Sequence, residues 1–229
     1  VTAGADLLQA FQRFETLEYV AQINIRARSL GEFQTLSNEQ IDLFYLPNNL
    51  LPEFTPEQHS SRERELRVQI CEFVQRAYER RLMISTSGTV SARVDETSFL
   101  ITPSGYDRKY IEPEGVVLIR KGQREAGKVP SRSVKLHEHI YQTHPYIHSV
   151  MTSLPPNATT YGIVNRQFDT RTIPESYILL RDMPVVPFGA QYQQPEQIAA
   201  VVSRSVPVIL LQNDAVLTTG ATILEAFDR

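Results

Sequence analysis

The first and last thirteen residues of this 229-residue chain repeat one another. Aligning Gly4 with Gly220 sets VTAGADLLQAFQR against LTTGATILEAFDR. Thr2, Gly4, Ala5, Leu8, Ala10, Phe11 and Arg13 then coincide with Thr218, Gly220, Ala221, Leu224, Ala226, Phe227 and Arg229. A repeat constrains everything between its copies, because each copy is the same structural unit used again. The offset of 216 residues is about the size of one large domain. The expectation is one period of a tandem duplication, opening inside the tail of one copy and stopping at the same point of the next. The alternative is a chance likeness of two amphipathic helix starts.

A chain this long buries enough surface to fold without staples. Its single cysteine, Cys71, excludes an internal disulfide framework and a Cys-based zinc site. Lys plus Arg at 23 against Asp plus Glu at 26 gives no cationic field for nucleic acid or an anionic membrane. The longest apolar runs, such as Val208–Leu211, fall far short of the roughly 18 residues that span a bilayer. Val1-Thr2-Ala3-Gly4 has neither a basic n-region nor an apolar h-region, so it does not read as a signal peptide. A soluble, cytoplasmic protein with no nucleic-acid or membrane partner is expected.

Leu7, Leu8, Phe11, Phe14, Leu17, Val20, Ala21 and Ile25 recur at helical spacing, predicting a helix from Ala5 to about Leu30 that stops at Gly31. A short helix follows over Asn38–Leu46, then a linker punctuated by Pro47, Pro52 and Pro56. A second long helix starting from Pro56 carries Leu66, Ile70, Phe73, Val74, Ala77 and Tyr78 on one face and ends near Leu82. Short β-type segments come next, at Thr89–Val94, Ser98–Thr102 and Val116–Ile119. Further strands are read at Ile147–Met151, Val185–Pro187, Val208–Leu211 and Ala215–Thr218. Helices are read at Ser133–Thr143, Asn157–Val164 and Pro195–Ser203, and another opens after Gly220. Antiparallel strands with interspersed helices make a mixed α and β class.

Six stretches carry a family likeness. They are Ser87-Gly88-Thr89-Val90-Ser91, Ile101-Thr102-Pro103-Ser104-Gly105, Pro130-Ser131 before a helix with His137 and Tyr141, Pro145 leading to Ser149-Val150, Pro184-Val185-Val186-Pro187, and Leu210-Leu211-Gln212-Asn213. In this order and spacing the chain resembles the class II aldolase/adducin head family over roughly Glu63–Arg229. Val1–Leu30 is similar to the family's final helix, as if taken from a preceding copy. The resemblance implies an α/β fold of the α+β type, with three α/β/α layers around a largely antiparallel central sheet. It also implies assembly as a ring, usually a tetramer, with active sites between subunits. On that basis residues 1–31 are expected to be the closing helix of a preceding aldolase-like copy and 32–60 a linker. Residues 61–229 would be an aldolase-like domain lacking its own closing helix.

Fold alone does not give function. Family enzymes hold a divalent metal, commonly zinc, through a His-x-His after a strand and a third histidine near the end of the domain. The resemblance places those positions on Thr152, Leu154 and Asp214, so none of the three ligands is kept. Leucine offers no lone pair, and one threonine with one carboxylate is a poor zinc site. The family's acid/base glutamate falls on Ser133, whose hydroxyl cannot exchange a proton near neutral pH as a tuned carboxyl does. His137, His139, His144 and His148 do not restore the centre. On a helix His137 and His139 point about 200° apart, and these histidines read as packing and capping residues.

The turns that cradle phosphate in family members fall on Gly88-Thr89, Ser104-Gly105 and Ser131-Arg132. Glycine-freed N–H groups, hydroxyls and a guanidinium suit an anion. The loss of an amide at Thr89 weakens that reading, and the same residues read equally as tight turns. The expected role is a catalytically degenerate copy that helps assemble a ring with itself or a companion copy, retaining a pocket for a small phosphorylated metabolite and needing no metal cofactor. Adducin heads give the family a non-enzymatic precedent. The alternative is a metal-dependent aldolase or related lyase acting on a phosphorylated sugar. A third reading is a metabolite-binding domain that regulates the companion.

Overall fold

Strand residues with apolar side chains on both faces require a layer of helices on each side. The computed structural model, which describes residues 1–45, 51–164 and 166–229, has that arrangement. The strands are β1 Glu53–Phe54, β2 Thr89–Arg93, β3 Ser98–Ile101, β4 Val117–Arg120, β5 Gln123–Glu125, β6 Ser149–Ser153, β7 Val185–Val186, β8 Val208–Leu211 and β9 Val216–Gly220. The helices are α1 Leu7–Leu30, α2 Asn38–Tyr45, α3 Ser61–Glu79, α4 Val134–Thr143, α5 Pro156–Ile163, α6 Pro174–Leu180, α7 Ala190–Gln193, α8 Pro195–Val201 and α9 Ile223–Asp228. Among the described residues the strands form one sheet in the order β1-β5-β4-β3-β2-β6-β9-β8-β7. Only the outermost pairs, β1 with β5 and β7 with β8, are parallel. The expected three-layer, largely antiparallel architecture is therefore present.

Alternation within each strand divides the core in two. Phe99, Ile101, Val117, Ile119, Val150, Ile209 and Leu217 face α4 and α8. Leu100, Leu118, Val90 and Met151 face α3 and α9, while Val208, Leu210 and Val216 meet the α5 and α6 side. Among the described residues no helix is long and apolar enough to cross a membrane.

Elements such as β5, β1 and α6 escape an apolar-pattern reading. β5 is polar, yet Arg124 and Glu125 are buried. Arg67 bridges Glu63 and Glu125 at 2.7 Å each, and Lys128 closes on Glu125 at 2.7 Å. The two-residue β1 is too short to show a period, and α6 opens on Pro174 directly after an irregular stretch. The segment expected as a linker is tied into the domain. Phe33 bridges Val164, Gln34 accepts from Asn213 Nδ2 at 2.9 Å, and Leu51 is buried with the α4 core. Leu46 and Pro47, the expected helix end and first linker proline, lie outside the described residues.

Helix α1 forms where its periodicity requires, capped by Asp6, but it packs on another face than expected. Tyr19, Ile23 and Ala27, spaced by four, are buried as α1 lies against α5. The likeness to a closing helix predicts that Leu7, Phe11 and Phe14 dock where that helix belongs, on this chain or on a neighbour; in this chain they are 87%, 46% and 56% exposed. The reason is geometric: α9 occupies the ground beside α3 and β6 that such an element covers.

Candidate functional site

The sheet topology brings the separate motifs to one end of the molecule. β2 begins where β3 and β6 end, and Thr89 pairs directly with Thr152. Ser153 pairs with Val216, so the Asp214-Ala215 turn arrives beside them. Pro103 bridges Pro130, and Ser131 N–H donates to the Thr102 carbonyl at 3.0 Å. A cavity of about 370 Å³ opens among these pieces, lined by all of the sequence-derived candidates: Gly88, Thr89, Ser104, Gly105, Ser131, Arg132, Ser133, Thr152, Leu154 and Asp214.

The turn before β2 is strained by any other residue at Gly88. Its φ is +99°, and a Cβ there would lie 2.6 Å from Met83 Cγ. Thr89 Oγ1 and Ser131 Oγ are 2.7 Å apart, and Ser131 Oγ is 3.1 Å from Ser133 Oγ. These three hydroxyls form a chain at the N-terminus of α4, the positive end of its dipole. Among the described residues the N–H groups of Gly88, Gly105, Arg132 and Ser133 have no protein acceptor.

The site's buried cation is a residue the motifs did not single out. Arg108, only 2% exposed, donates from Nε to the Gly88 carbonyl at 2.9 Å, and from Nη1 to the carbonyls of Pro103 and Tyr106 at 3.1 and 3.0 Å. One guanidinium thus holds both glycine turns. Among the described residues its Nη2 takes no protein partner and no ion pair uses it. Burial brings its pKa down to about 10, so it stays charged at neutral pH. The sequence signal was an arginine three residues beyond a Ser-Gly turn, on a short 3₁₀ helix capped by Asp107.

Arg132, the expected anion fork, sits at the rim. Its guanidinium carbon lies 4.3 Å from the Phe44 ring centre and 5.0 Å from that of Tyr192. Its Nη1 donates to the Phe44 carbonyl at 2.6 Å and its Nη2 to the Leu43 carbonyl at 3.4 Å. Arg132 therefore ties the end of α2 across the cavity mouth.

At the three ligand positions the donor set does not fit a three-imidazole zinc centre. Thr152 offers a neutral hydroxyl, Leu154 offers nothing, and Asp214 accepts from Gln191 Nε2 at 2.8 Å. Burial raises the Asp214 carboxyl above the ordinary aspartate value and pushes neighbouring Tyr192 up to about 12. Among the described residues no cluster of three or more His, Cys, Asp or Glu side chains could hold a metal.

The α4 histidines divide as helical geometry requires. His137 is fully buried, its Nδ1 2.7 Å from Ser91 Oγ, which also lies 2.6 Å from Tyr141 Oη. His139 is only partly buried, and the His144 ring nitrogen meets the Ala199 carbonyl at 2.7 Å. None of them lines the cavity.

Comparison with known proteins agrees with this arrangement. The Class II Aldolase and Adducin N-terminal domain family matches residues 68–229. The chain is 23% identical over 163 residues to an L-fuculose phosphate aldolase of Methanococcus vannielii, covering 70% of this chain and 85% of that protein. It is 30% identical over 147 residues to a 5-methylthioribulose-1-phosphate/5-deoxyribulose-1-phosphate aldolase of Escherichia coli, covering 60% and 65%. The crystal structure of YgbL from Escherichia coli superposes with a TM-score of 0.66 at 20% identity, over 72% of this chain and 83% of that one. With the family matched over most of its length and the fold shared, the chain belongs to the class II aldolase and adducin N-terminal domain family.

Proposed function

We propose that this domain is a catalytically degenerate member of its family, a later copy in a tandem protein, that binds a small phosphorylated metabolite without turning it over. The observation that carries the ligand class is Arg108, a buried cation that no carboxylate pairs with among the described residues, set behind glycine turns, three hydroxyls and the N-terminus of α4. A buried charge without a counter-ion is costly unless an anion meets it. Both aldolases matched above have phosphate esters in their names, which supports the same class.

Degeneracy rests on Thr152, Leu154, Asp214 and Ser133, which supply neither three nitrogen donors nor a carboxyl at the acid/base position. With substrate held but no group to polarise or deprotonate it, the domain serves as a binding and assembly unit in a ring with itself or a companion copy. Metal analysis of the purified protein tests this. We expect less than about 0.1 equivalent of zinc, manganese or cobalt; near one equivalent, lost in Asp214→Asn, would overturn it. A second reading, a metal-dependent aldolase or related lyase acting on a phosphorylated sugar, is favoured by the matched enzymes and by Asp214, the one carboxyl that the described residues place in the cavity.

A further inference from the structure

The likeness between the two ends of the sequence extends to local geometry. At the C-terminal end, Thr222 caps α9 by accepting from the Glu225 N–H at 3.1 Å, and the Glu225 carboxylate accepts from the Ala221 N–H at 2.6 Å. Arg229 Nη1 donates back to the Thr219 carbonyl at 2.5 Å. At the N-terminal end, Asp6 accepts from the Gln9 N–H at 2.7 Å, Gln9 Oε1 accepts from the Ala5 N–H at 2.9 Å, and Arg13 Nη1 donates to the Ala3 carbonyl at 2.6 Å. Each bond links the same pair of positions in the two segments. A Cβ on Gly220 would lie 2.5 Å from the Ala226 nitrogen, and one on Gly4 would lie 2.5 Å from the Ala10 nitrogen. The substitutions between them preserve function: Thr for Asp at the cap, Glu for Gln as the acceptor.

What differs is the surroundings. Thr218 and Thr219 pair with Met151 and Val150 of β6, Ile223 and Ala226 are 5% and 1% exposed, and Phe227 meets Phe73 of α3 edge to face with ring centres 5.3 Å apart. Their counterparts have no such bed: the contacts to this unit are a hydrogen bond from Tyr78 Oη to the Glu15 carboxylate and a shallow cavity where Phe11 and Phe14 border Arg81 and Ile84. Val1–Ala3 pairs with no strand among the described residues, Leu7 is 87% exposed and Phe11 46%. Leu8, Phe14 and Leu17 extend this open face, an apolar stripe of the kind that marks an interaction surface.

We propose that Val1–Leu17 is a second strand–turn–helix element that completes a further unit of this same fold, pairing with that unit's counterpart of β6 and packing on its counterpart of α3. The chain itself displays the bed such an element needs, and in this unit that bed is filled by β9 and α9. The partner is therefore a unit lacking its own copy of the element, not a second copy of this chain. The remainder of α1, docked on α5 through Tyr19, Ile23 and Ala27, makes one continuous helix that closes the partner unit and grips this one. The inference rests on the tandem reading above and is independent of the phosphate pocket.

A graft tests the equivalence. Leu217→Val, Thr219→Ala, Thr222→Asp, Ile223→Leu, Glu225→Gln and Asp228→Gln together install the N-terminal sequence in the C-terminal bed. Expected is cooperative unfolding with a Tm within about 4 °C of the parent, the scale of a small perturbation in a domain this size. Failure to fold would argue against equivalence. A second measurement does not depend on the graft: hydrogen exchange of residues 5–17 in the polypeptide made from its natural gene. Protection matching that of residues 221–229, lost in Leu7→Asp/Phe11→Asp, is the expected result. Free exchange of residues 5–17 would overturn the proposal, as would a homodimer of the 229-residue chain abolished by the same double substitution.

Discussion

Acidification should unfold this protein through His137. The ring is fully buried, its Nδ1 held by Ser91 Oγ at 2.7 Å, and Nε2 meets no partner among the described residues. A neutral ring with its proton on Nδ1 satisfies this arrangement, whereas protonation places a second N–H where nothing accepts it. Burial accordingly brings the His137 pKa down to about 3 from its model-peptide value of 6.5. The folded value lies below the unfolded one, so the associated stability is complete above about pH 6.5 and is lost as pH falls toward 3. Between pH 7 and pH 4.5 the slope rises to about 1.4 kcal/mol per pH unit once the unfolded ring is protonated, so the loss is roughly 2 to 3 kcal/mol for this one group. Urea unfolding of parent and His137→Phe at pH 7 and pH 4.5 isolates it, because the two proteins differ at this residue alone. The variant is less stable at pH 7, since its ring cannot bond Ser91, but the parent should lose roughly 2 to 3 kcal/mol more than the variant on acidification. Equal losses would refute the buried, neutral ring.

Asp214→Asn should have the opposite pH signature. Burial raises this carboxyl, so the folded state holds its proton to a higher pH than the unfolded chain does. The contribution is present at low pH and lost as pH rises through the raised value; the variant should gain in Tm over the parent at pH 7, with the gap narrowing toward pH 4. Gly88→Ala should cost about 2 kcal/mol or more in chemical denaturation, combining left-handed strain with a Cβ driven into Met83. Arg132→Ala should weaken phosphate binding in calorimetry by about tenfold, consistent with one charge-assisted contact of roughly 1.5 kcal/mol.

The sequence disclosed those elements whose apolar side chains repeat with a clear period. The runs at Ser98–Ile101 and Val208–Leu211 and the face of α3 carry both core layers, and all were legible. β5 was not, because Arg124 and Glu125 are buried through ion pairs with partners distant in sequence. The docked face of α1 was hidden for a related reason. Tyr19 and Ala27 are weaker signals than the leucines and phenylalanines that this unit leaves exposed. At the site, the family resemblance picked out Gly88, Ser104, Gly105 and Ser131, and these residues line one cavity. Arg108 gave no motif, since its role comes from carbonyls of two turns that meet only in the folded chain.

The central claim, a phosphate-binding pocket that works without the family's metal, is tested most directly by titration calorimetry of dihydroxyacetone phosphate and inorganic phosphate into chelator-treated protein. The account predicts weak saturable binding of both, unchanged by added zinc, weakened at least tenfold by Ser131→Ala/Arg132→Ala, and accompanied by no consumption of the sugar phosphate. Absence of binding at millimolar ligand, or binding that appears only when zinc is restored, would contradict it.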